Sequence, residues 1–254
     1  MLVAITRDVS PSIGQCELTH VVRAPIDIDV ARAQHRAYER CLTDLGCEIH
    51  RLPPEPDLPD SVFVEDAAIV LDELAVITHP GAESRRPETL SVARALEAYR
   101  SLRHIEPPGT LDGGDVLRVG RTLYVGLSRR TNEVGIAQLR RYVKPYAYVV
   151  KAVPIEKCLH LKSGVTQVGE RVLLINRKWV GAGAFKRMEL VDVAPSEPTA
   201  ANALLIGDAV VYPESHVATR KRLEEWGIDV CAVDVSELAK AEGGVTCCSL
   251  IFRS

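Results

Sequence analysis

Four stretches of this chain repeat one pattern: an acidic or small residue, an alternating apolar strand, a tight polar turn and a second apolar strand. They are EDAAIVLDELAVITHP (65–80), GDVLRVGRTLYVGL (114–127), SGVTQVGERVLLIN (163–176) and NALLIGDAVVYP (202–213). Three of these turns contain the glycine that β-hairpin turns favour. The segments MLVAITR at the start and VTCCSLIF near the end each read as a single strand, and together they would complete a fifth unit.

Helical periodicity lies between the hairpins, in DIDVARAQHRAYERCLTDLG, SRRPETLSVARALEAY, TNEVGIAQLRRYVKPY and SHVATRKRLEEWG. Further strands such as CEIHRLP, AYVVKAVP and IDVCAVDV follow these helices. The unit is therefore ββαβ, and its length of about 45 residues indicates a closed or stacked repeat architecture. We predict an α/β fold in which five pseudo-symmetric ββαβ units form a five-bladed α/β propeller, with the helices outside and a central channel.

An open doubly wound sheet is the alternative architecture. Against it, neither G-x-G-x-x-G nor G-x-x-x-x-G-K-[ST] follows any predicted strand. No Ser/Gly-rich linker and no shift in composition marks a domain boundary. We therefore expect residues 1–254 to form a single catalytic domain.

Charge and hydropathy exclude several classes of partner. The formal net charge is −3, so the chain lacks the excess of basic residues that is typical of nucleic-acid-binding proteins. No stretch approaches 18 uninterrupted apolar residues, so we expect no transmembrane helix and no membrane partner. The N-terminus lacks the long apolar region and cleavage site of a signal peptide.

The cysteines argue against a disulfide framework and for a cytoplasmic location. Their number is odd and their spacing irregular, which fits a reducing compartment. No C-x-x-C or H-E-x-x-H motif occurs, so we expect neither a metal site nor a cofactor. The seven cysteines are Cys16, Cys41, Cys47, Cys158, Cys231, Cys247 and Cys248.

The chemistry-bearing residues stand at equivalent points of the repeat. His160, in CLHLKSG, lies between leucines at the entrance to the third hairpin. The motif FVED occupies the same point in the first unit, LDGGD in the second, and GGVTCC leads into the last strand. Taken alone, a core histidine, a capping acid and an Asp-Gly turn explain these motifs. Propeller symmetry, however, would bring all four entrances together around one axis.

That convergence would create a reactive constellation. A thiol beside an imidazole that is oriented by a carboxylate is the general arrangement of an activated nucleophile. Acids beyond those needed for such a triad imply a cationic substrate, because they would otherwise repel one another. The members are Cys247, His160, Asp112 with Asp115, and Glu65 with Asp66.

Two SRR stretches, Ser84–Arg86 and Ser128–Arg130, follow the first and second hairpins. An arginine at a hairpin exit could bind a substrate carboxylate through a bidentate fork, although surface charge at a helix start explains it equally well. Together with acids that bind a cation, such arginines would describe a small amino acid with a cationic side chain.

Six motifs, in this order and spacing, resemble those of the dimethylarginine dimethylaminohydrolase family: LPDSVFVED, HPGAESRR, GTLDGGDV, GLSRRTN, LHLKSG and GGVTCCS. The resemblance runs over essentially the whole chain and implies the pentein fold, the five-unit propeller of the guanidine-modifying superfamily. It also implies hydrolysis of Nω-methylated L-arginine to L-citrulline and a methylamine. By this resemblance Cys247 is the nucleophile, His160 the general acid and base, and Asp112 the acid that orients His160.

The resemblance assigns binding roles to further residues. It implies that Asp60, Glu65 and Asp66 hold the methylated arginine substrate. It implies that Arg85 and Arg130 bind the α-carboxylate of that substrate.

The family resemblance also places Leu18, in GQCELTH, on a flap over the site. It places the backbone near Ala241 against the α-amino group of the substrate. Two positions depart from the commoner family pattern: Asp112 stands where some members have Glu, and Glu242 replaces the commoner Asp before glycine.

Three other functions remain open from the sequence. Arginine deiminase uses the same constellation on unmethylated arginine but usually carries an added helical domain. An amidinotransferase would transfer the amidino group to an amine instead of water. Some propellers of this fold bind ribosomal subunits without catalysis, and the mildly acidic charge here offers no patch for RNA. A homodimer is possible.

Overall fold

The computed structural model describes all residues, 1–254, and contains fifteen β-strands in five sheets of three. In chain order the strands are β1 (Leu2–Arg7), β2 (Cys47–Leu52), β3 (Ala68–Val70), β4 (Ala75–Ile77), β5 (Leu102–His104), β6 (Val116–Val119), β7 (Thr122–Leu127), β8 (Val149–Pro154), β9 (Val165–Gly169), β10 (Val172–Ile175), β11 (Glu189–Asp192), β12 (Leu204–Ile206), β13 (Ala209–Pro213), β14 (Asp229–Val233) and β15 (Leu250–Arg253).

The α-helices are α1 (Ile28–Asp44), α2 (Glu88–Leu96), α3 (Glu133–Val143), α4 (Leu161–Gly164), α5 (Val217–Glu225) and α6 (Ser236–Ala239). Helix α1 begins where the Asp27 carboxylate accepts hydrogen bonds from the backbone N–H groups of Asp29 and Val30. It ends before Gly46, whose φ of +87° is a left-handed conformation that glycine adopts without steric cost. None of the helices is both long and apolar enough to cross a bilayer.

All five sheets share one topology. In β3–β4–β5, β6–β7–β8, β9–β10–β11 and β12–β13–β14 the middle strand pairs antiparallel with the first strand and parallel with the third. The fifth sheet follows the same rule across the chain ends, since β1 pairs antiparallel with β15 and parallel with β2. The prediction that the first and last strands complete a fifth unit is confirmed, and with it the five-bladed propeller.

The first strand of each blade faces the axis. Residues of β3, β6, β9, β12 and β15 line one channel of about 460 Å³. Buried apolar clusters join neighbouring blades: one contains Ile5 and Phe252 of the ring-closing sheet together with Ile77 of β4 and Val92 of α2. The core is therefore distributed between adjacent blades around the ring, and not gathered in one centre.

Two local predictions were wrong. The unit β9–β10–β11 has no α-helix, because its connection RKWVGAGAFKRM is interrupted by two glycines and forms only a 3₁₀ turn, Ala182–Phe185. The cysteine pair Cys247 and Cys248 lies in a turn and not in a strand, since β15 begins only at Leu250.

Candidate active site

Three blades place a short helical segment directly before their innermost strand. Two are 3₁₀ turns, Val64–Ala67 before β3 and Gly113–Asp115 before β6, and the third is α4 before β9. Asp66 lies in the first of these turns, while Asp112 and His160 are the residues that precede the other two. The predicted convergence of hairpin entrances therefore occurs.

The glycines of LDGGD allow the three entrances to approach this closely. A Cβ atom on Gly114 would lie 2.5 Å from Nδ1 of His160 and 2.7 Å from Oδ1 of Asp66. A Cβ atom on Gly113 would lie 1.9 Å from the carbonyl oxygen of Glu65. The motif is therefore more than an Asp-Gly turn, because any side chain here would push the catalytic candidates apart.

His160 is held between two carboxylates. Its Nε2 lies 3.0 Å from Oδ2 of Asp112, and its Nδ1 lies 3.7 Å from Oδ1 of Asp66. The other Asp112 oxygen accepts the backbone N–H of Gly81 at 2.9 Å, which fixes that carboxylate behind the ring. Because Asp112 occupies Nε2, Nδ1 is the nitrogen left to exchange protons on the Asp66 side.

The charge state of His160 follows from these neighbours. Burial by itself would lower the pKa of the imidazole, but the Asp66 charge, the Asp112 hydrogen bond and the nearby Asp115 outweigh burial and raise the pKa to about 9. Burial conversely raises the pKa of Asp115 to about 6. His160 is therefore an imidazolium, and so a proton donor, at neutral pH.

This pKa predicts a pH dependence of folding stability. Unfolded histidine has a pKa of 6.5, so the native state binds more protons between pH 6.5 and about 9. The stabilisation is complete below pH 6.5 and is lost as the pH rises through about 9, by roughly 3 kcal/mol. Urea unfolding at pH 6 and pH 9.5 measures it. Since other groups also titrate, the His160→Gln variant is the control, and an equal pH dependence in both proteins would contradict the assignment.

Asp66 contacts several groups of the buried polar network. Its Oδ2 accepts Nη1–H of Arg85 at 2.5 Å and its Oδ1 accepts the backbone N–H of Gly114 at 2.8 Å. Burial opposes ionisation, but His160 and Arg85 more than compensate and hold the pKa of Asp66 well below its usual range. The carboxylate is therefore ionised and faces the cavity, as a cation-binding group must.

The two predicted carboxylate-binding arginines differ in their freedom. Arg85 is buried and bonded to Glu88 as well as to Asp66, and its Nη2 also donates to the carbonyl of Phe63. Burial lowers the pKa of Arg85, but Glu88 and Asp66 outweigh that effect and raise it well above normal. Arg130 is half-buried, and its guanidinium makes one long contact, 3.4 Å to the hydroxyl of Thr19. The geometry thus favours Arg130 over Arg85 as the ligand of a free carboxylate.

The two adjacent cysteines occupy different environments. Cys247 is half-buried and lines the same cavity as His160, whereas Cys248 is 1 % exposed and donates to the carbonyl of Gly244. The turn, and not strand alternation, places one thiol at the cavity wall and the other in the buried apolar cluster. Burial, followed by the charges of Glu65 and Asp66, raises the pKa of Cys247 to about 12. The thiol is therefore neutral in the empty site.

Glu65 does not line the cavity. Its carboxylate accepts Nζ of Lys162 at 2.5 Å and the hydroxyl of Thr246 at 2.8 Å, and all three residues line the central channel instead. Its backbone N–H also donates to the carbonyl of Cys247 at 3.1 Å. Glu65 therefore connects the turn that contains Cys247 to residues that line the central channel.

The remaining predicted residues divide between the cavity wall and its surroundings. The wall includes Asp60, Asp66, Arg85, Arg130, His160, Ala241 and Cys247, whereas Asp112, Glu65 and Leu18 lie outside it. Leu18 is half-buried and packs against the apolar cluster that also contacts Cys247. The carbonyl oxygen of Ala241 faces no hydrogen-bond donor of the protein, so it is available to an amine.

One group of side chains has the spacing of metal ligands. One ligand atom from each of Asp66, Asp112 and His160 lies within 4.8 Å of the others. The same atoms are already engaged with one another, with Gly114 and with Arg85, so a cation would have to displace these contacts. The absence of a metal cofactor stays a prediction.

Comparison with known proteins finds relatives in sequence and in structure. The family described as N,N dimethylarginine dimethylhydrolase, eukaryotic, matches residues 22–188. An N(G),N(G)-dimethylarginine dimethylaminohydrolase of Streptomyces coelicolor is 40% identical, with 98% of this chain and 96% of the relative covered. The chain belongs to the dimethylarginine dimethylaminohydrolase family.

A second relative and a solved structure support the same family assignment. The enzyme of the same name from Pseudomonas aeruginosa is 37% identical, with 88% of this chain and 90% of the relative covered. A solved structure of the Pseudomonas aeruginosa protein, a cysteine-to-serine variant complexed with citrulline, superposes with a TM-score of 0.93 at 34% identity over 98% of each chain. The pentein fold expected of the dimethylarginine dimethylaminohydrolase family is confirmed.

Sequence reasoning missed two residues that lie beside this site. Lys162 stands in the quoted motif LHLKSG, yet its pairing with Glu65 was not expected. Asn202, at the entrance to the remaining blade, bonds both the hydroxyl and the N–H of Thr246. It stands two residues before β12, as Asp66 stands two residues before β3, and this symmetry was the signal that could have identified it.

Proposed function

We propose that this protein hydrolyses Nω-methylated L-arginine, in the form of asymmetric dimethylarginine or monomethylarginine, to L-citrulline and dimethylamine or methylamine. One observation supports this most strongly: a thiol, an imidazolium and an ionised carboxylate, from Cys247, His160 and Asp66, line one cavity. The names of the Streptomyces coelicolor and Pseudomonas aeruginosa relatives point to the same reaction.

Substrate binding would follow from the charges of the wall. The guanidinium would bind the ionised Asp66 through charge-assisted hydrogen bonds, which keep it cationic and electrophilic. Arg130 would bind the α-carboxylate, with Arg85 holding Asp66 in place from behind. The carbonyl of Ala241 and the Asp60 carboxylate would receive the α-amino group, and Leu18 would lie on the segment that covers the site.

The bound cation would also activate the nucleophile. With a pKa of about 12, the thiol of Cys247 is almost wholly protonated in the empty site. A guanidinium beside the sulfur favours thiolate and lowers that pKa, and the proton leaves to solvent. The thiolate then adds to the guanidinium carbon and forms a C–S bond. Substrate therefore helps to generate its own nucleophile.

The amine leaves only after protonation, since dimethylamine is not a stable anion. Nδ1–H of His160 supplies the proton as the C–N bond breaks, which leaves a thiouronium on Cys247. The now neutral imidazole takes a proton from water, and the resulting hydroxide attacks the same carbon. The C–S bond breaks, the departing thiolate takes the proton of the new hydroxyl group, and citrulline is released. His160 is protonated again, so the same imidazole acts first as general acid and then as general base.

Three further properties belong to this proposal. Residues 1–254 act as a single catalytic domain, which the pairing of β1 with β15 supports, because the first and last strands close one ring. The protein works in the cytoplasm, which its seven free cysteines fit, since disulfides are rare in reducing compartments. A homodimer stays a prediction.

A comparison of substrates tests the reaction. We expect citrulline from asymmetric dimethylarginine and from monomethylarginine, with kcat/KM at least about tenfold lower for arginine, since a difference of one or two methyl groups is worth about 10- to 200-fold. Citrulline is measured by colorimetry and the released amine by chromatography. Equal or faster turnover of arginine would favour arginine deiminase instead.

The same assay, repeated with glycine present, separates hydrolysis from amidino transfer. Formation of guanidinoacetate in place of citrulline would identify an amidinotransferase. Absence of turnover with every guanidino compound would favour the ribosome-binding alternative.

A further inference from the structure

Residues 17–26 form an irregular segment that crosses the candidate active site, and we call this segment the flap. It makes no backbone–backbone hydrogen bond with any other part of the protein. The N–H groups of a chain segment that lacks such bonds must be satisfied in another way, by side chains or by water. The side chains that bond the flap therefore determine its position.

Glu242 provides the largest set of these bonds. Its carboxylate accepts the backbone N–H groups of three consecutive flap residues: Thr19 at 3.0 and 3.1 Å, Val21 at 2.7 Å, and His20 between them. Hydrogen bonds to an ionised acceptor are about twice as strong as neutral ones. This one side chain therefore fixes the middle of the flap.

Glu242 also belongs to the wall of the cavity that contains Cys247 and His160. The flap contributes Glu17 to the same wall, where its N–H donates to the Asp60 carboxylate at 3.0 Å. With the flap in this position the cavity measures about 20 Å³. That volume holds about one water molecule and not an amino acid, so the wall, to which the flap contributes Glu17, must rearrange to admit substrate.

The backbone of Glu242 is itself unusual. Its φ is +59°, a left-handed conformation that costs roughly 1 kcal/mol or more for a residue with a Cβ atom. Glycine would adopt it freely, and the following residues are Gly243 and Gly244. A glutamate at this position gives up stability, while its side chain gains the three flap contacts.

We propose that Glu242 is the latch of the active site: its carboxylate holds the flap closed over Cys247 and His160, and release of these bonds admits substrate and frees product. Glu242 is a positioning residue, because it acts through the flap and not on the reacting atoms. The inference deepens the proposed function by naming how access to that site is controlled.

Two variants separate the latch from the backbone strain. Glu242→Ala removes the carboxylate and keeps the left-handed strain, whereas Glu242→Gly removes both. We expect amide hydrogen exchange at Thr19, His20 and Val21 to quicken by roughly 10- to 100-fold in both variants, the loss associated with hydrogen bonds to a charged group. Glu225→Ala, at an exposed glutamate of α5, is the matched control and should leave these rates unchanged.

Access to the cavity is measured by alkylation of Cys247 with iodoacetamide, followed by peptide mapping. Alkylation should accelerate about tenfold or more in both Glu242 variants, for the same reason. With asymmetric dimethylarginine, KM should fall while kcat changes much less, because the closed state that excludes substrate is less populated and the chemistry is untouched. Glu242→Gln, which keeps one oxygen acceptor, should lie between the variants and the wild type.

Unchanged exchange and alkylation in both variants would overturn the latch. A change in Glu242→Gly without one in Glu242→Ala would assign the effect to backbone strain and also overturn it. Exchange and alkylation need no substrate, so a failure of the proposed function leaves this test intact.

Discussion

Replacing Cys247 by serine is expected to abolish citrulline formation, with a loss of about 10⁴-fold or more, as for other enzymes deprived of a covalent nucleophile. A serine hydroxyl beside a guanidinium has no strong base in this site to take its proton, because His160 is already protonated at neutral pH. The measurement is citrulline produced from asymmetric dimethylarginine at saturating concentration.

The neighbouring cysteine supplies a matched control. Cys248→Ser makes the same chemical change one residue away, at a thiol that is buried and absent from the cavity wall. This variant should retain turnover within a few-fold of the wild type. Circular dichroism and urea unfolding establish that both variants are folded. Appreciable turnover by Cys247→Ser, or an equal loss in Cys248→Ser, would remove Cys247 from the role of nucleophile.

The second large effect is expected at His160, and it depends on the leaving group. Replacing His160 by alanine should lower turnover of dimethylarginine by about 10²- to 10⁴-fold, the usual contribution of a general acid or base. An analogue with a methylthio group in place of the amine should be affected much less in its first step. A thiol has a pKa of about 8.5 to 10 and leaves as an anion without a proton donor.

The first step is isolated by the burst of methanethiol released in a single turnover. His104→Ala, at an exposed histidine of β5, is the control and should behave as the wild type with both substrates. An equal loss of the burst and of dimethylarginine turnover in His160→Ala would indicate that His160 acts in positioning and not as the acid.

Asp112 illustrates a site residue whose placement could be predicted from the sequence. Its position in LDGGD, equivalent to that of His160 in LHLKSG, predicted that the two meet at the axis. The structure places Oδ2 of Asp112 3.0 Å from the ring of His160. Repeat symmetry predicts that the motifs LDGGD and LHLKSG lie close together although they are distant in sequence. Equivalent positions of a closed ring lie at the same height along its axis and at the same distance from it.

Arg85 illustrates a site residue whose contacts could not be predicted from the sequence. The motif HPGAESRR was compatible with a substrate carboxylate, but the guanidinium points to Asp66 and Glu88 in a buried network. Charge type and spacing do not determine which of several nearby acids an arginine binds. That choice depends on distances set by packing of side chains from separate blades.

The ββαβ period, the number of blades and the residue types near the ring axis all follow from local sequence patterns, because strand alternation and turn residues act over a few neighbouring positions. Only tertiary packing places Cys247 at the cavity wall while Cys248 packs in the core, and brings Glu242 against a flap more than 200 residues earlier in the chain. Such contacts join atoms that only ring closure brings together, so no local pattern contains them.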